Sequence, residues 1–361
     1  MKNTFRIALL AGVAGGAALG AGAASAAISG AGATFPRIAY ENWCRDSGLC
    51  SYTGVGSGAG ITRFISGTVD IAGTDATLTE TQLASLASAR GGVRPLYFPT
   101  LLGAITVPVN VPGITGNRVR IPAAALGRIF SGDITNWSDS ELAQTPKNLK
   151  ITKVGGAQKL PNAPITVCVR SDGSGTSFGF SRYLTKVSSD FKTKVNFGQT
   201  PPWTAPTIVK SPGNAGVANC VKNNQNSIGY VDLADAAGAG LSTNIAAIGR
   251  TQKGTKGRVT TYVLPSLKSI QAAQPPAIKP DLTIDFSASP ATGAYPIVIT
   301  TWVLAYSDYA AAGKSGSLAE VKQFLSYAYS KPAQDKLASL NFVPLPAAVV
   351  TAAKKQLDAL K

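Results

Sequence analysis

The chain of 361 residues contains no histidine. That absence excludes Ser-His-Asp and Cys-His catalysis, histidine-ligated zinc and any imidazole general base. It also disarms Gly175-Thr176-Ser177-Phe178-Gly179, which matches the nucleophile elbow G-x-S-x-G as a string but has no base to serve it. Acidic residues are few, 18 against 34 Lys and Arg, and do not cluster as a metal site would require. There is no C-x-x-C redox spacing and no repeat at solenoid periods. Gly313-Lys314-Ser315 looks like the end of a Walker A loop, but Asp308 stands where its first glycine belongs. The glycines at 54–60 make no proper dinucleotide loop. No cofactor is expected.

What is present is a chain long enough for two domains, with 45% hydrophobic residues to form a core. The formal net charge is +16, which favours small oxyanions, nucleic acid or acidic lipid as partners, or serves only as a solubilising surface. Residues 1–26 read as a secretory signal peptide. Lys2 and Arg6 start it, Ile7 to Ala23 is apolar and small, and Ala24-Ser25-Ala26 is an A-x-A cleavage site. The run is weakly hydrophobic, which disfavours a membrane anchor, and no cysteine follows the site to carry lipid. A soluble periplasmic or secreted protein is expected. Its four cysteines suit an oxidising compartment: Cys44 and Cys50 enclose a short loop and pair, which leaves Cys168 and Cys220, although three connectivities are open to four cysteines.

The most informative stretch is Arg170-Ser171-Asp172-Gly173-Ser174-Gly175-Thr176-Ser177. An alternating run, Ile165 to Val169, predicts a strand ending at the arginine, and Phe178, Tyr183 and Leu184 predict a helix behind it. The first N–H groups of a helix lack internal partners and the macrodipole is positive there. Hydroxyls at Ser174 and Thr176, close backbone approach at the glycines and the planar fork of Arg170 all favour an oxyanion. The alternative is an ordinary helix cap with an Arg170–Asp172 pair.

Similar turns recur. Gly30 to Pro36 opens a helix with Thr34 as its expected cap and Phe35, Ile38, Ala39 and Trp43 on its apolar face. In Tyr52–Gly60 a short strand leads to a second turn, with Ser57 as N-cap and Gly67 as the stop. Val69 to Gly73 predicts a strand ending at Asp75, which either caps a turn or faces a ligand, and Thr79 and Gln82 have capping-box spacing. Further on, 101–110 and 295–306 are apolar β-runs, 121–137 a helix and turn, and 143–163 a polar loop. A helix is predicted at 213–222, a strand at 227–232, a surface excursion at 250–290, and helices at 318–330, 332–340 and 347–360. The alternation predicts an α/β fold with mainly parallel sheets.

Taken together, Gly-Ala-Gly-Ala-Thr-Phe-Pro (30–36), Gly-Val-Gly-Ser-Gly (54–58), Val-Asp-Ile-Ala-Gly-Thr-Asp (69–75) and Arg-Ser-Asp-Gly-Ser-Gly-Thr-Ser (170–177) resemble the periplasmic phosphate-binding protein of the high-affinity phosphate ABC transporter. Phe130–Trp137, Ser227–Asp232 and Asn341–Pro346 look like that family too, so the likeness spans nearly the whole chain after the leader. The resemblance implies a type II, Venus-flytrap binding protein with two hinge strands, within Leu101–Val109 and Ile297–Ala305. Lobe one would be 27–104 plus 291–361 and lobe two 105–290. It implies phosphate, as HPO4 or H2PO4, bound by Thr34, Phe35, Ser57, Arg170, Ser174, Gly175 and Thr176 as donors. Asp75 would accept the ligand's proton and Asp172 would hold Arg170. It implies a monomer that delivers to an inner-membrane permease complex, no nucleic acid and no catalysis. A Cys168–Cys220 bond would stiffen lobe two behind Arg170. The alternatives are a secreted phosphatase, disfavoured by the missing base and metal ligands, and a basic polyanion-binding protein, which the charge alone permits.

Overall fold

The computed structural model describes residues 27–114, 118–143, 158–254, 257–275 and 277–361, with backbone only across 252–259. The leader expected at 1–26 and most of the loop expected at 143–163 lie outside the described residues. In chain order the strands are β1 (Ile28–Gly32), β2 (Cys50–Gly54), β3 (Ile71–Thr74), β4 (Pro95–Thr106), β5 (Val109–Asn110), β6 (Arg120–Ile121) and β7 (Thr166–Arg170). They continue as β8 (Ile208–Ser211), β9 (Ser227–Gly229), β10 (Val231–Asp232), β11 (Ala247–Gly254), β12 (Gly257–Val263) and β13 (Val298–Tyr306). One six-stranded sheet has the order β10-β4-β13-β3-β1-β2, a four-stranded sheet the order β5-β9-β7-β8, and a smaller sheet the order β12-β11-β6. Helices cover the sheets in a two-lobed α/β arrangement.

The two apolar runs become the neighbours β4 and β13, paired antiparallel along their length, and every residue of β13 is buried. Strands covered on both faces need apolar side chains on both, so they read as continuous runs rather than alternating ones. The sheets are mixed, not mainly parallel: β1 runs parallel to β2 and β3, but β13 runs antiparallel to β3 and β4. The reason is connectivity, since β13 returns to the first sheet after the whole middle of the chain instead of through a short βαβ crossover. The strand expected at 227–232 divides at Tyr230, with β9 in the four-stranded sheet and β10 on the edge of the six-stranded one. The excursion at 250–290 holds the β11–β12 hairpin and a helix, Leu267–Gln271, and it buries Leu282, Ile284 and Phe286, so it is not a surface feature alone. The helix expected at 332–340 is a short α-turn, Lys331–Asp335, followed by a 3₁₀ turn, Lys336–Leu340.

Local signals account for other elements. Thr79 and Gln82 form the capping box, and Gly67 ends its helix in the left-handed conformation. Two caps differ. Pro36 occupies the N-cap of helix Arg37–Ser47 and Gly56, at φ 88°, that of helix Ser57–Ser66. The hydroxyls of Thr34 and Ser57 are therefore not spent on capping.

The disulfides are Cys44–Cys50 and Cys168–Cys220. The first ties helix Arg37–Ser47 to β2. The second ties β7 to helix Gly213–Asn223, two residues behind Arg170 on the strand. Loop-closure entropy gives about 2 kcal/mol for the first and about 4 kcal/mol for the second. Replacing Cys168 and Cys220 by alanine should therefore lower stability in urea by roughly twice as much as replacing Cys44 and Cys50. Equal losses would contradict this assignment of loop sizes to stability.

Candidate functional site

Three glycine-rich turns, those that follow β1, β2 and β7, converge at the end of β3. Gly32, at φ 147°, has no room for a side chain, because a Cβ there would lie 2.0 Å from the Gly73 carbonyl oxygen. This close approach sets Thr34 and Phe35 beside the end of β3. The Phe35 ring packs against Phe342 at 5.8 Å and is buried, which anchors the turn. Gly175 has a related role across the molecule. A Cβ there would meet the Ser57 Oγ at 2.5 Å and the Asp75 N at 2.7 Å, so only glycine lets the start of helix Gly175–Val187 reach them. The Gly58 N–H donates to the Gly173 carbonyl at 2.9 Å, a direct link between the turn after β2 and the turn after β7.

The hydroxyls share a polarity. Ser57 Oγ accepts from the Asp75 N–H at 3.3 Å, and Ser174 Oγ accepts from the Ser177 N–H at 3.0 Å as the cap of its helix. Thr176 Oγ1 accepts from Asn214 Nδ2 at 3.2 Å, and Thr34 Oγ1 from the Asn214 main-chain N–H at 3.4 Å. Each of these oxygens thus has a lone pair committed to the protein, and its own hydrogen is left to point elsewhere. Ser57, Ser174 and Thr176 are almost wholly buried.

Arg170 is buried at the end of β7. Its Nε donates to Asp172 Oδ1 at 2.8 Å, its Nη2 pairs with Asp172 Oδ2, and its Nη1 donates to Asn214 Oδ1 at 2.8 Å. Three of five N–H groups are used among the described residues, leaving one on each Nη. The Arg170 charge and hydrogen bonds hold the Asp172 carboxyl below its usual range against the opposing effect of burial.

Asp75 is 4% exposed. Its Oδ1 accepts from Thr301 Oγ1 at 2.6 Å, while Oδ2 is buried with no hydrogen-bond partner. Burial pushes the carboxyl up to about 7, opposed by the Thr301 bond, the Arg170 charge and the nearby Thr176 hydroxyl. Thr176 lies close enough to favour the charged form, yet it does not satisfy Oδ2. An unpaired buried acceptor is costly, and a donor meeting Oδ2 would relieve that cost.

The predicted residues Thr34, Phe35, Ser57, Asp75, Arg170, Ser174, Gly175 and Thr176 therefore lie on the three converging turns and the end of β3, with Asp172 behind the arginine. Sequence reasoning missed Asn214 and Thr301. Asn214 begins a helix with no glycine motif of the recurring kind, and Thr301 sits inside an apolar run. The signal for Thr301 was its polarity in a strand buried on both faces; the register shift between Thr301 and Trp302 marks the same spot. A separate cavity of about 1010 Å³ lies between Tyr183, Lys186, Arg250 and Tyr262. Its cations are engaged: Lys186 pairs with Asp285, and Arg250 donates to the carbonyls of Ser289, Ala291 and Ala294. Size alone does not make it the better candidate. Among the described residues no group of acidic, cysteine or histidine side chains could hold a metal, and no helix is long and apolar enough to cross a membrane.

Comparison with known proteins agrees with this architecture. The model of a PBP superfamily domain matches residues 16–332. The chain is 32% identical over 334 residues to the phosphate-binding protein PstS of Haemophilus influenzae, covering 90% of each. It is 30% identical to the PstS of Methanocaldococcus jannaschii, covering 87% of this chain and 81% of that one. A phosphate-binding protein from Stenotrophomonas maltophilia superposes with a TM-score of 0.66 at 22% identity, over 91% of this chain and 93% of that one. A high-affinity periplasmic phosphate-binding protein solved bound with phosphate at pH 8.5 superposes with a TM-score of 0.69 at 23% identity and the same coverage. At such identities the two structures speak for the fold. The chain belongs to the PBP superfamily and, within it, to the family of the PstS phosphate-binding proteins.

Proposed function

We propose that this chain is a binding protein, not an enzyme, that captures inorganic phosphate in the periplasm and hands it to an ABC-transporter permease. The observation that carries the reading is the polarity of the cluster: four hydroxyls and an arginine present hydrogens, and one buried carboxylate oxygen alone asks for one. A tetrahedral ion with several bare oxygens and one proton satisfies both demands. Thr34, Ser57, Ser174 and Thr176 donate hydroxyl hydrogens, Phe35 and Gly175 main-chain N–H groups, and Arg170 its two remaining N–H groups. Asp75 Oδ2 accepts the ligand's proton. Several charge-assisted hydrogen bonds in a site closed to water supply micromolar affinity or better, about −8 kcal/mol. In this reading lobe one is 27–104 plus 291–361 and lobe two 105–290, with the chain crossing at the ends of β4 and β13. The leader delivers a soluble monomer to the periplasm.

The same carboxylate sets selectivity. Above pH 7 an ionised Asp75 opposes sulfate, which has no proton to give, and leaves a buried like charge unpaired. Below that pH Asp75 itself holds the proton and can donate it to sulfate. In the ligand-free protein the sign is consistent: the folded value exceeds the unfolded one of about 4, so this group's support of the fold is complete below that pH and is lost as pH rises through about 7.

Calorimetric titration at pH 8 should give phosphate binding at micromolar Kd or tighter and sulfate at least about 100-fold weaker. Sulfate affinity should rise as pH falls below 7, and Asp75→Asn should bind sulfate with little dependence on pH. Equal affinities at pH 8, or an unchanged preference in Asp75→Asn, would refute the role of Asp75. Gly175→Ala should lower the melting temperature of the free protein and also weaken phosphate more than about tenfold, because its methyl group has no room in the contact with Ser57 and the Asp75 main chain. Unaltered affinity in that variant would show that the contact is not needed for binding.

A further inference from the structure

Asn214 touches three of the donors at once. Its side chain is wholly buried in the first turn of helix Gly213–Asn223. The orientation of its amide is dictated by its neighbours. Arg170 can only donate, so Oδ1 must face Nη1, at 2.8 Å. Nδ2 then faces two acceptors with its two hydrogens, Asp232 Oδ2 at 2.8 Å and Thr176 Oγ1 at 3.2 Å. The main-chain N–H of the same residue reaches Thr34 Oγ1 at 3.4 Å. Asp232 is buried and in turn accepts from the Asp235 N–H at 2.8 Å, so the acceptor behind the amide is itself held in place.

We propose that Asn214 is the positioning residue that fixes Thr34, Thr176 and Arg170 as donors toward the bound anion, so that the site's preference for a bare oxygen over a hydroxyl at those points is set from behind. The assignment rests on the phosphate reading above. A free threonine hydroxyl can donate or accept, and a site lined by such groups would accommodate more than one arrangement of ligand protons. Engaging one of the two lone pairs of each hydroxyl from the protein side, by a donor that cannot accept in return, turns the hydrogen toward the ligand and narrows that freedom. Asp75 Oδ2, a carboxylate oxygen with no partner of its own, is then the preferred place for a ligand proton, which makes the number of protons on the ligand legible to the site. Asn214 contacts no ligand itself and acts through these three residues.

The isosteric change Asn214→Asp tests this, because it keeps the shape and replaces the donor Nδ2 with an acceptor. Thr176 would turn its hydrogen to the new carboxylate and present a lone pair to the ligand, beside an added negative charge. Phosphate affinity at pH 8 should fall about 100-fold, and the loss should shrink as pH is lowered and the new carboxyl takes up a proton. Asn214→Ala removes the donor without adding an acceptor. It should cost about tenfold, with a pH profile parallel to that of the parent protein, and it should cost less in a Thr176→Ala background than alone. Titrations of phosphate into parent and variants, with thermal melts alongside, read all of this. Asn214→Asp binding within about threefold of the parent overturns the proposal, as do equal losses with identical pH profiles in the two variants, the mark of a merely structural residue. Should Asn214→Asp fail to fold, equal costs of Asn214→Ala in the two backgrounds overturn it instead. A parent protein that binds no phosphate would defeat the functional reading and this assignment together, whereas a tight-binding parent with an unaffected Asn214→Asp defeats the assignment alone.

Discussion

The bond from Thr301 to Asp75 is the constraint on which the site depends. It occupies one oxygen of a buried carboxylate and leaves the other facing a region where the surrounding hydroxyls all have hydrogens to give. Burying a carboxylate half satisfied costs free energy, and that cost is why the group resists ionisation until about pH 7. In the proposed reading the return is chemical discrimination: one acceptor among many donors would recognise a proton as well as a shape.

The rest of the architecture brings these groups together. Thr301 lies on β13 and Asp75 just beyond β3, its neighbour in the six-stranded sheet, so two residues far apart in the chain are held in register by sheet pairing. Arg170 and the helix behind it come from the four-stranded sheet, and glycine at 175 permits the near contact between the two groups. The Cys168–Cys220 bond joins the strand that ends in Arg170 to the helix that begins with Gly213 and Asn214. It thus braces the arginine and its amide partner as one unit. Nearby, the ion pair of Arg37 with Asp235 at 3.3 Å connects the helix after Phe35 to the segment after β10, beside the same turns.

Much of this was legible in the sequence, and the parts that were not share a cause. Glycine turns followed by helices, the capping box at Thr79 and the two apolar runs are local signals, and local chemistry decided them. The caps at Thr34 and Ser57 were misread because a hydroxyl before a helix has the same signature whether it serves the helix or a neighbouring backbone N–H. Mixed sheet direction, the division of residues 227–232 between two sheets, and the burial of Leu282, Ile284 and Phe286 depend on long-range pairing that spacing does not encode. Asn214 and Thr301 belong to that second class. Neither stands in a recognisable turn, and their importance comes from contacts 38 to 226 residues away along the chain.

The most direct test is a high-resolution crystal structure of the protein grown with phosphate near neutral pH. The account predicts a tetrahedral ion among Thr34, Ser57, Arg170 and Thr176, with one of its oxygens at about 2.6 Å from Asp75 Oδ2 and its other oxygens contacted only by donors. An ion seated in the cavity beside Arg250, or one bound with Asp75 turned away from it, would contradict the account at its centre.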